Sequence, residues 1–135
     1  MRILIADDDF TSRTLLRHFL SSYGEVDVTV NGAEAVEAYM MAIDEGYGYD
    51  LICLDIMMPD MDGVSALQKI RTKEKAMGIT PDEEVKIIMT TSLDAPKDVL
   101  DSYYRGLNRC NHYLTKPVDT RKLSALLETY GLVRQ

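Results

Sequence analysis

The chain has 135 residues, of which 46% are hydrophobic and 27% are charged, and its formal net charge is −7. This composition predicts one globular domain and excludes a disordered or membrane-spanning chain, since the apolar runs are far too short to cross a bilayer. The acidic balance argues against direct contact with nucleic acid or anionic membranes, and Asp7 interrupts any signal peptide, which favours a cytoplasmic location.

Short apolar runs alternate with amphipathic patterns along the chain. The runs predict strands at residues 2–6, 26–30, 51–54, 85–89 and 112–115. Apolar residues spaced three and four apart predict a helix after each run, beginning near Thr11, Gly32, Val64, Pro96 and Thr120. A polar connection over residues 72–84 is long for a compact α/β unit, so we expect part of it to be mobile.

Strands that alternate with helices predict a parallel sheet with right-handed crossovers. We predict an α/β fold with a doubly wound, flavodoxin-like sheet of five parallel strands in the order 2-1-3-4-5 and helices on both faces. No linker or low-complexity segment interrupts the pattern, so residues 1–135 are predicted to form a single domain.

The sequence holds two cysteines, Cys53 and Cys110, and two histidines, His18 and His112. Their spacing does not match a zinc site, and two cysteines do not make a disulfide framework. Cys53 lies inside a predicted core strand and is interpreted as a buried, reduced thiol. Any metal chemistry is therefore expected to use oxygen ligands.

The apolar run at residues 51–54 ends at a carboxylate, Asp55. A continuous run of this kind is typical of a central strand that is buried on both faces, and its carboxyl end is where open α/β sheets place their ligands. The Asp and Gly residues of the following turn need no function. An acid on the end of a core strand is harder to explain, so Asp55 is the first candidate functional residue.

Polar side chains also follow the other core strands: Asp7 and Asp8 the first, Thr91 and Ser92 the fourth, and Lys116 the fifth. Because the carboxyl ends of parallel strands meet at one edge, we expect these side chains to lie close to Asp55. Crowded carboxylates repel one another, and a bound Mg²⁺ ion commonly neutralises that repulsion in proteins. A lysine and a hydroxyl opposite them suit phosphoryl oxygens, and a carboxylate is a possible nucleophile in phosphoryl transfer.

Each motif alone has a purely structural interpretation. The acids after the first strand and the Thr-Thr-Ser segment are both compatible with helix caps. Lys116-Pro117 is compatible with an ordinary turn, and Met57-Met58-Pro59 with a turn and packing. The presence of all four motifs at strand ends, in this order, is much harder to explain by structural roles alone.

These residues resemble the receiver domain of bacterial two-component response regulators, including the single-domain chemotaxis type. The resemblance runs from about Arg2 to Tyr130. It rests on residues 3–8 (Ile-Leu-Ile-Ala-Asp-Asp), 54–63 (Leu-Asp-Ile-Met-Met-Pro-Asp-Met-Asp-Gly), 87–92 (Ile-Ile-Met-Thr-Thr-Ser) and 113–117 (Tyr-Leu-Thr-Lys-Pro). The second and the fourth of these segments are highly specific.

The resemblance implies that Asp55 accepts a phosphoryl group from a histidine kinase or a histidine phosphotransfer protein. It implies that Asp8, Asp55 and the backbone carbonyl of Met57 bind Mg²⁺, with Asp7 helping through water. Catalysis would be limited to the domain's own phosphorylation and slow hydrolysis. The downstream partner is an unidentified protein, with no direct contact to nucleic acid or membrane.

The resemblance also implies a switch. Thr91 holds a phosphoryl oxygen and shifts toward it on activation, Lys116 pairs with the phosphate, and the aromatic Tyr113 swings inward when Thr91 moves. The alternative interpretation of Tyr113, which the sequence favours less, is a plain edge-strand aromatic. The Lys116–Pro117 bond is often cis in such domains.

Two positions depart from the family pattern. Met57 and Leu93 are apolar where fast-cycling members often carry polar residues that help to position the hydrolytic water, so we expect a comparatively long-lived phosphoryl group. Ser92 stands where a small residue such as Ala is common, and we expect it to admit phosphate. The resemblance offers no account of residues 72–84.

Other interpretations stay open. A scaffold that keeps the site residues but is no longer phosphorylated fits the same sequence. An aspartate-nucleophile phosphatase would need an acid in place of Met57, and a flavin-binding electron carrier would need a Gly-rich and hydroxyl-rich loop in place of Asp7-Asp8-Asp9. The sequence fits both a stand-alone regulator and the receiver portion of a longer protein. Its oligomeric state is also open, and Tyr103, Tyr104 and Tyr113 are a candidate contact face.

Overall fold

The computed structural model describes residues 1–92 and 110–135. Its strands are β1 (Arg2–Ala6), β2 (Glu25–Thr29), β3 (Leu51–Asp55), β4 (Lys86–Ser92) and β5 (His112–Lys116). The α-helices within these residues are α1 (Phe10–Leu20), α2 (Gly32–Asp44), α3 (Gly63–Ala76) and α4 (Thr120–Thr129). The helix predicted near Pro96, together with Leu93, Tyr103 and Tyr104, lies outside the described residues.

The strands form one sheet in the order β2-β1-β3-β4-β5, and all neighbours are parallel. The predicted order and strand direction are therefore confirmed. Every residue of β3 is buried, as expected for the central strand of a sheet that is covered on both faces. Among the described helices, none is long and apolar enough to cross a membrane.

Alternate residues of the strands pack into two apolar layers on opposite faces of the sheet. Leu4, Ile52 and Ile87 belong to the layer that α2 and α3 cover. Their chain neighbours Ile3, Leu51 and Ile88 belong to the layer that α1 and α4 cover. This alternation follows from the two-residue period of a strand, and it decides which side chains share a face at the end of each strand.

Polar side chains mark the beginning of each described helix. The side chains of Asp9, Asn31 and Asp62 each accept a hydrogen bond from the backbone N–H three residues further on. Asp119 caps α4 by accepting a hydrogen bond from the backbone N–H of Arg121. Such caps satisfy N–H groups that have no partner within the helix.

The connection over residues 72–84 is more ordered than its polar sequence suggests. Helix α3 continues to Ala76, and a 3₁₀ turn occupies Pro81–Glu83. Arg71 and Glu74 form a buried ion pair with 2.8 Å between Nη1 and Oε1. Glu74 also accepts from the N–H of Val85, and Arg71 donates to the Val85 carbonyl. The buried pair therefore holds the end of α3 against the chain that enters β4.

Candidate functional site

The carboxyl ends of the strands bring Asp7, Asp55 and Lys116 to one edge and one face of the sheet. Asp7 follows β1, and Asp55 and Lys116 are the last residues of β3 and β5. Each of the three lies two residues after a strand residue that packs in the layer under α1 and α4, so their side chains point to that same face of the sheet. The convergence expected from the sequence is therefore present for these three side chains.

Lys116 pairs with both buried acids. Its Nζ lies 3.0 Å from Asp55 Oδ2 and 3.0 Å from Asp7 Oδ2, and it donates a hydrogen bond to Asp7 Oδ1 at 3.2 Å. Asp7 is 1% exposed and Asp55 4% exposed. The contact from Lys116 Nζ to Asp7 Oδ2 lacks hydrogen-bond geometry. This buried oxygen is therefore attracted by the ammonium charge but has no hydrogen-bond partner among the described residues.

Asp8 completes a group of three acids. Carboxylate oxygens of Asp7, Asp8 and Asp55 all lie within 4.8 Å of one another, and Asp8 itself is exposed. The single ammonium of Lys116 leaves an excess of negative charge at this edge. A set of carboxylate oxygens, one of which is buried without a hydrogen bond, fits a hard divalent cation such as Mg²⁺.

The charges in the site shift the acidity of its members. Burial, followed by the repulsion from Asp7, raises the pKa of Asp55 to about 6, although Lys116 acts in the opposite direction. Burial of Lys116 disfavours its charge, but the attraction of Asp55 and Asp7 outweighs burial and raises the pKa of the ammonium. The two buried acids therefore stabilise the charged form of Lys116, whereas burial disfavours the charged form of Asp55.

A cavity of about 520 Å³ opens on Asp55, and its lining includes Asp8, Met57, Ser92 and Lys116. Met57 donates its backbone N–H to Asp55 Oδ1 at 3.4 Å, and its side chain is 42% exposed. An apolar side chain therefore lies beside the Asp55 carboxylate, at the position that the family resemblance singled out. The role of the Met57 carbonyl as a metal ligand stays a prediction.

Thr91 and Tyr113 lie apart from this cavity. Thr91 is buried on the opposite face of β4 from Asp55, in line with Ile87 and Met89, and its hydroxyl lies 3.4 Å from the carbonyl of its neighbour Ser92. Tyr113 is 44% exposed on β5. The Thr91 side chain therefore points away from Asp55 in this structure. The Lys116–Pro117 peptide bond is cis.

Arg13 is a further residue of the site, which sequence reasoning missed. Its Nη1 donates to the backbone carbonyl of Asp7 at 3.0 Å, and the N–H of Asp9 donates to Asp7 Oδ1 at 2.8 Å. These two bonds hold the turn after β1, and with it the Asp7 carboxylate. The only signal in the sequence is that Arg13 lies within the first turn of the predicted helix.

A doubly wound sheet with a lysine-paired buried aspartate and an acid cluster at its carboxyl edge defines an α/β domain whose ligand site suits a divalent cation and an anionic group. The chain belongs to the response regulator receiver domain family, whose family model matches residues 3–128. Receiver domains are signalling domains of two-component and phosphorelay systems, and the suggested family is thereby confirmed.

Known proteins resemble the chain over nearly its whole length. It is 32% identical over 131 residues to the chemotaxis protein CheY of Bacillus subtilis, covering 95% of this chain and 96% of that protein. Against two other curated relatives, however, the chain spans only 7% and 54% of their own length.

Two solved structures share the fold. One is the receiver domain of Ssk1 from Saccharomyces cerevisiae, crystallised with the histidine phosphotransfer protein Ypd1, with a TM-score of 0.73, 28% identity and coverage of 97% of this chain and 88% of that one. The other is TrrA of Thermotoga maritima in complex with Mg²⁺ and beryllium fluoride, with a TM-score of 0.72, 29% identity and coverage of 96% and 97%.

Proposed function

We propose that Asp55 accepts a phosphoryl group from the phosphohistidine of a histidine kinase or a histidine phosphotransfer protein, and that this reaction switches a protein-binding surface. The observation that carries the proposal is the position of Asp55. Its buried carboxylate ends the central strand, opens into a cavity and lies 3.0 Å from the Lys116 ammonium. The crystallised pair of Ypd1 and the Ssk1 receiver domain supports a phosphotransfer protein as the donor.

The chemistry requires little from the protein except position and charge. A carboxylate oxygen of Asp55 forms a bond to phosphorus while the bond from phosphorus to the donor imidazole breaks. The electron pair of the broken bond stays on the ring nitrogen, and a proton on the other nitrogen lets the ring leave as neutral imidazole. Lys116 neutralises charge on the phosphoryl oxygens, and the Asp55 carboxyl is largely ionised above its pKa of about 6.

Asp8 and Asp55 would hold Mg²⁺ together with the Met57 carbonyl, and Asp7 would assist through water. Bound there, Mg²⁺ supplies positive charge that offsets the carboxylates and the phosphoryl oxygens. The unsatisfied Asp7 Oδ2 and the excess of acids support this assignment. The complex of TrrA with Mg²⁺ and beryllium fluoride supports the same cation here.

The switch uses Thr91 and Tyr113. Movement of Thr91 toward the phosphoryl group would shift the end of β4 and vacate space for the exposed Tyr113 ring, which changes the surface offered to a protein target. The proposal takes residues 1–135 as one domain. The cytoplasmic location, like the absence of direct contact with nucleic acid or membrane, stays a prediction from the sequence.

Intact mass spectrometry after incubation with acetyl phosphate and Mg²⁺ tests the proposal. The wild type is expected to gain one phosphoryl group, and Asp55→Asn and the EDTA-treated wild type are expected to gain none. Asp60→Asn is a matched control, because Asp60 is an exposed acid in the loop after β3. A wild type that gains no mass at any Mg²⁺ concentration would contradict the proposal and favour a scaffold role.

A further inference from the structure

Ser92 is a hydroxyl residue of β4 that shares a face of the sheet with Asp55. Side chains alternate along β4, with Ile88 in the layer under α1 and α4 and Ile87 in the layer under α2 and α3. Ser92 lies four residues after Ile88 and therefore points to the α1 side. Thr91, one residue earlier, points to the other side.

Strand pairing brings Ser92 next to Lys116. The two residues are direct partners in the register of β4 and β5, and paired parallel strands lie about 4.8 Å apart. Both residues also line the cavity that opens on Asp55, whereas Thr91 does not line it. The Ser92 side chain therefore borders the space that a group bonded to Asp55 would occupy.

A phosphoryl group in this cavity needs several hydrogen-bond donors. It carries nearly two negative charges and three acceptor oxygens. Lys116 is shared with Asp7, and the Thr91 hydroxyl faces the opposite layer. A serine hydroxyl carries one donor and is able to donate to a phosphoryl oxygen beside it.

We propose that the Ser92 hydroxyl binds an oxygen of the phosphoryl group on Asp55, beside Lys116, before Thr91 moves. The inference rests on the proposed phosphorylation of Asp55. It makes Ser92 a phosphoryl-binding residue in the conformation described here, so that transfer does not have to wait for the end of β4 to rearrange. The phosphoryl group would then be bound by the Ser92 hydroxyl directly after transfer and by the Thr91 hydroxyl after the switch.

Phosphorylation by acetyl phosphate with Mg²⁺, followed by intact mass, tests this role. Ser92→Ala is expected to lower kcat/KM by about tenfold, the effect of one lost hydrogen bond to a charged group. Ser92→Thr keeps the hydroxyl and is expected to keep most of the rate. Ser92→Cys, which has nearly the same size and a much weaker donor, is expected to lose as much as Ser92→Ala.

Two controls separate phosphoryl binding from a structural effect. Thr115→Val removes a hydroxyl from the neighbouring strand β5, at an exposed position that is paired with Thr91 and does not line the cavity, and its rate is expected to match the wild type. Calorimetric Mg²⁺ affinity and Tm are expected to be unchanged in Ser92→Ala.

The outcomes are distinct. A Ser92→Ala rate equal to the wild type, or an equal loss in Thr115→Val, would overturn the role of Ser92 and leave Asp55 phosphorylation intact. A wild type that is not phosphorylated would overturn both proposals.

Discussion

Lys116 Nζ lies 3.0 Å from Asp55 Oδ2, although the two residues are 61 positions apart in the chain. The contact joins the ends of β3 and β5 across the intervening β4. It places a cation beside the acid that has the most central position in the sheet. The same ammonium reaches Asp7, so one lysine balances two buried carboxylates.

Removal of the Lys116 charge is expected to affect both reactivity and stability. Lys116→Met leaves two buried carboxylates without their cation, which should cost about 3–5 kcal/mol in the metal-free protein. Phosphorylation by acetyl phosphate should also slow, because the phosphoryl oxygens lose a charged donor. Urea unfolding with and without Mg²⁺ measures the first effect, and we expect Mg²⁺ to restore part of the loss. Lys116→Arg, which keeps the charge, is the control, and an equal loss of stability in Lys116→Arg would contradict the role of charge.

Asp55 is expected to make the metal-free protein less stable as pH rises. Its pKa is raised to about 6, so between about pH 4 and pH 6 the native state binds more protons than the unfolded state. Stability therefore falls across this window, and above it the ionised carboxylate costs about 3 kcal/mol. Asp55→Asn removes that charge and should be more stable than the wild type at pH 8 but not at pH 4. Urea unfolding in EDTA at both pH values measures the difference, and a difference that is the same at pH 4 and pH 8 would contradict the assignment.

Met57 is expected to prolong the life of the phosphoryl group. Its side chain lines the cavity beside Asp55 and cannot position a water molecule. Met57→Asn should shorten the half-life by roughly tenfold, the effect of one new hydrogen bond to the attacking water, and adding Leu93→Glu should shorten it further. Loss of phosphoryl mass over time gives the half-life. Met77→Asn is the control, since Met77 is also exposed but lies at the end of α3. Half-lives that do not differ among these variants would contradict the prediction.

The buried pair of Arg71 and Glu74 is expected to be essential for stability. Burial and the contact with Glu74 raise the pKa of Tyr39, whose hydroxyl bonds to the same carboxylate, so several groups depend on Glu74. Glu74→Ala should cost about 3–5 kcal/mol of unfolding free energy, because it leaves the Arg71 charge buried with less compensation. Chemical denaturation measures this cost, with Asp82→Ala as an exposed control from the same connection. A loss below about 1 kcal/mol would show that the pair is not important.

The same pair shows a feature near residues 72–84 that the sequence pattern did not reveal. Residues 72–84 are polar, and polar residues between two core elements are usually solvated, so the sequence predicts a connection that is mobile in part. The structure instead buries Arg71 and Glu74 just at its start, where they bond to Val85 as it enters β4. Burial of two charges depends on their meeting each other, and single-residue preferences do not contain that information.

The sequence by itself determined the class of fold and the chemical type of the site. Period-two and period-3.6 apolar patterns are local, and a parallel sheet brings the ends of its strands together whatever their separation along the chain. Asp7, Asp55 and Lys116 were therefore predictable as neighbours. Only the tertiary structure decided which of Thr91 and Ser92 shares a face of the sheet with Asp55. That choice depends on the register of β4 against its neighbours and on which layer each side chain enters, and a shift of one residue would exchange Thr91 for Ser92.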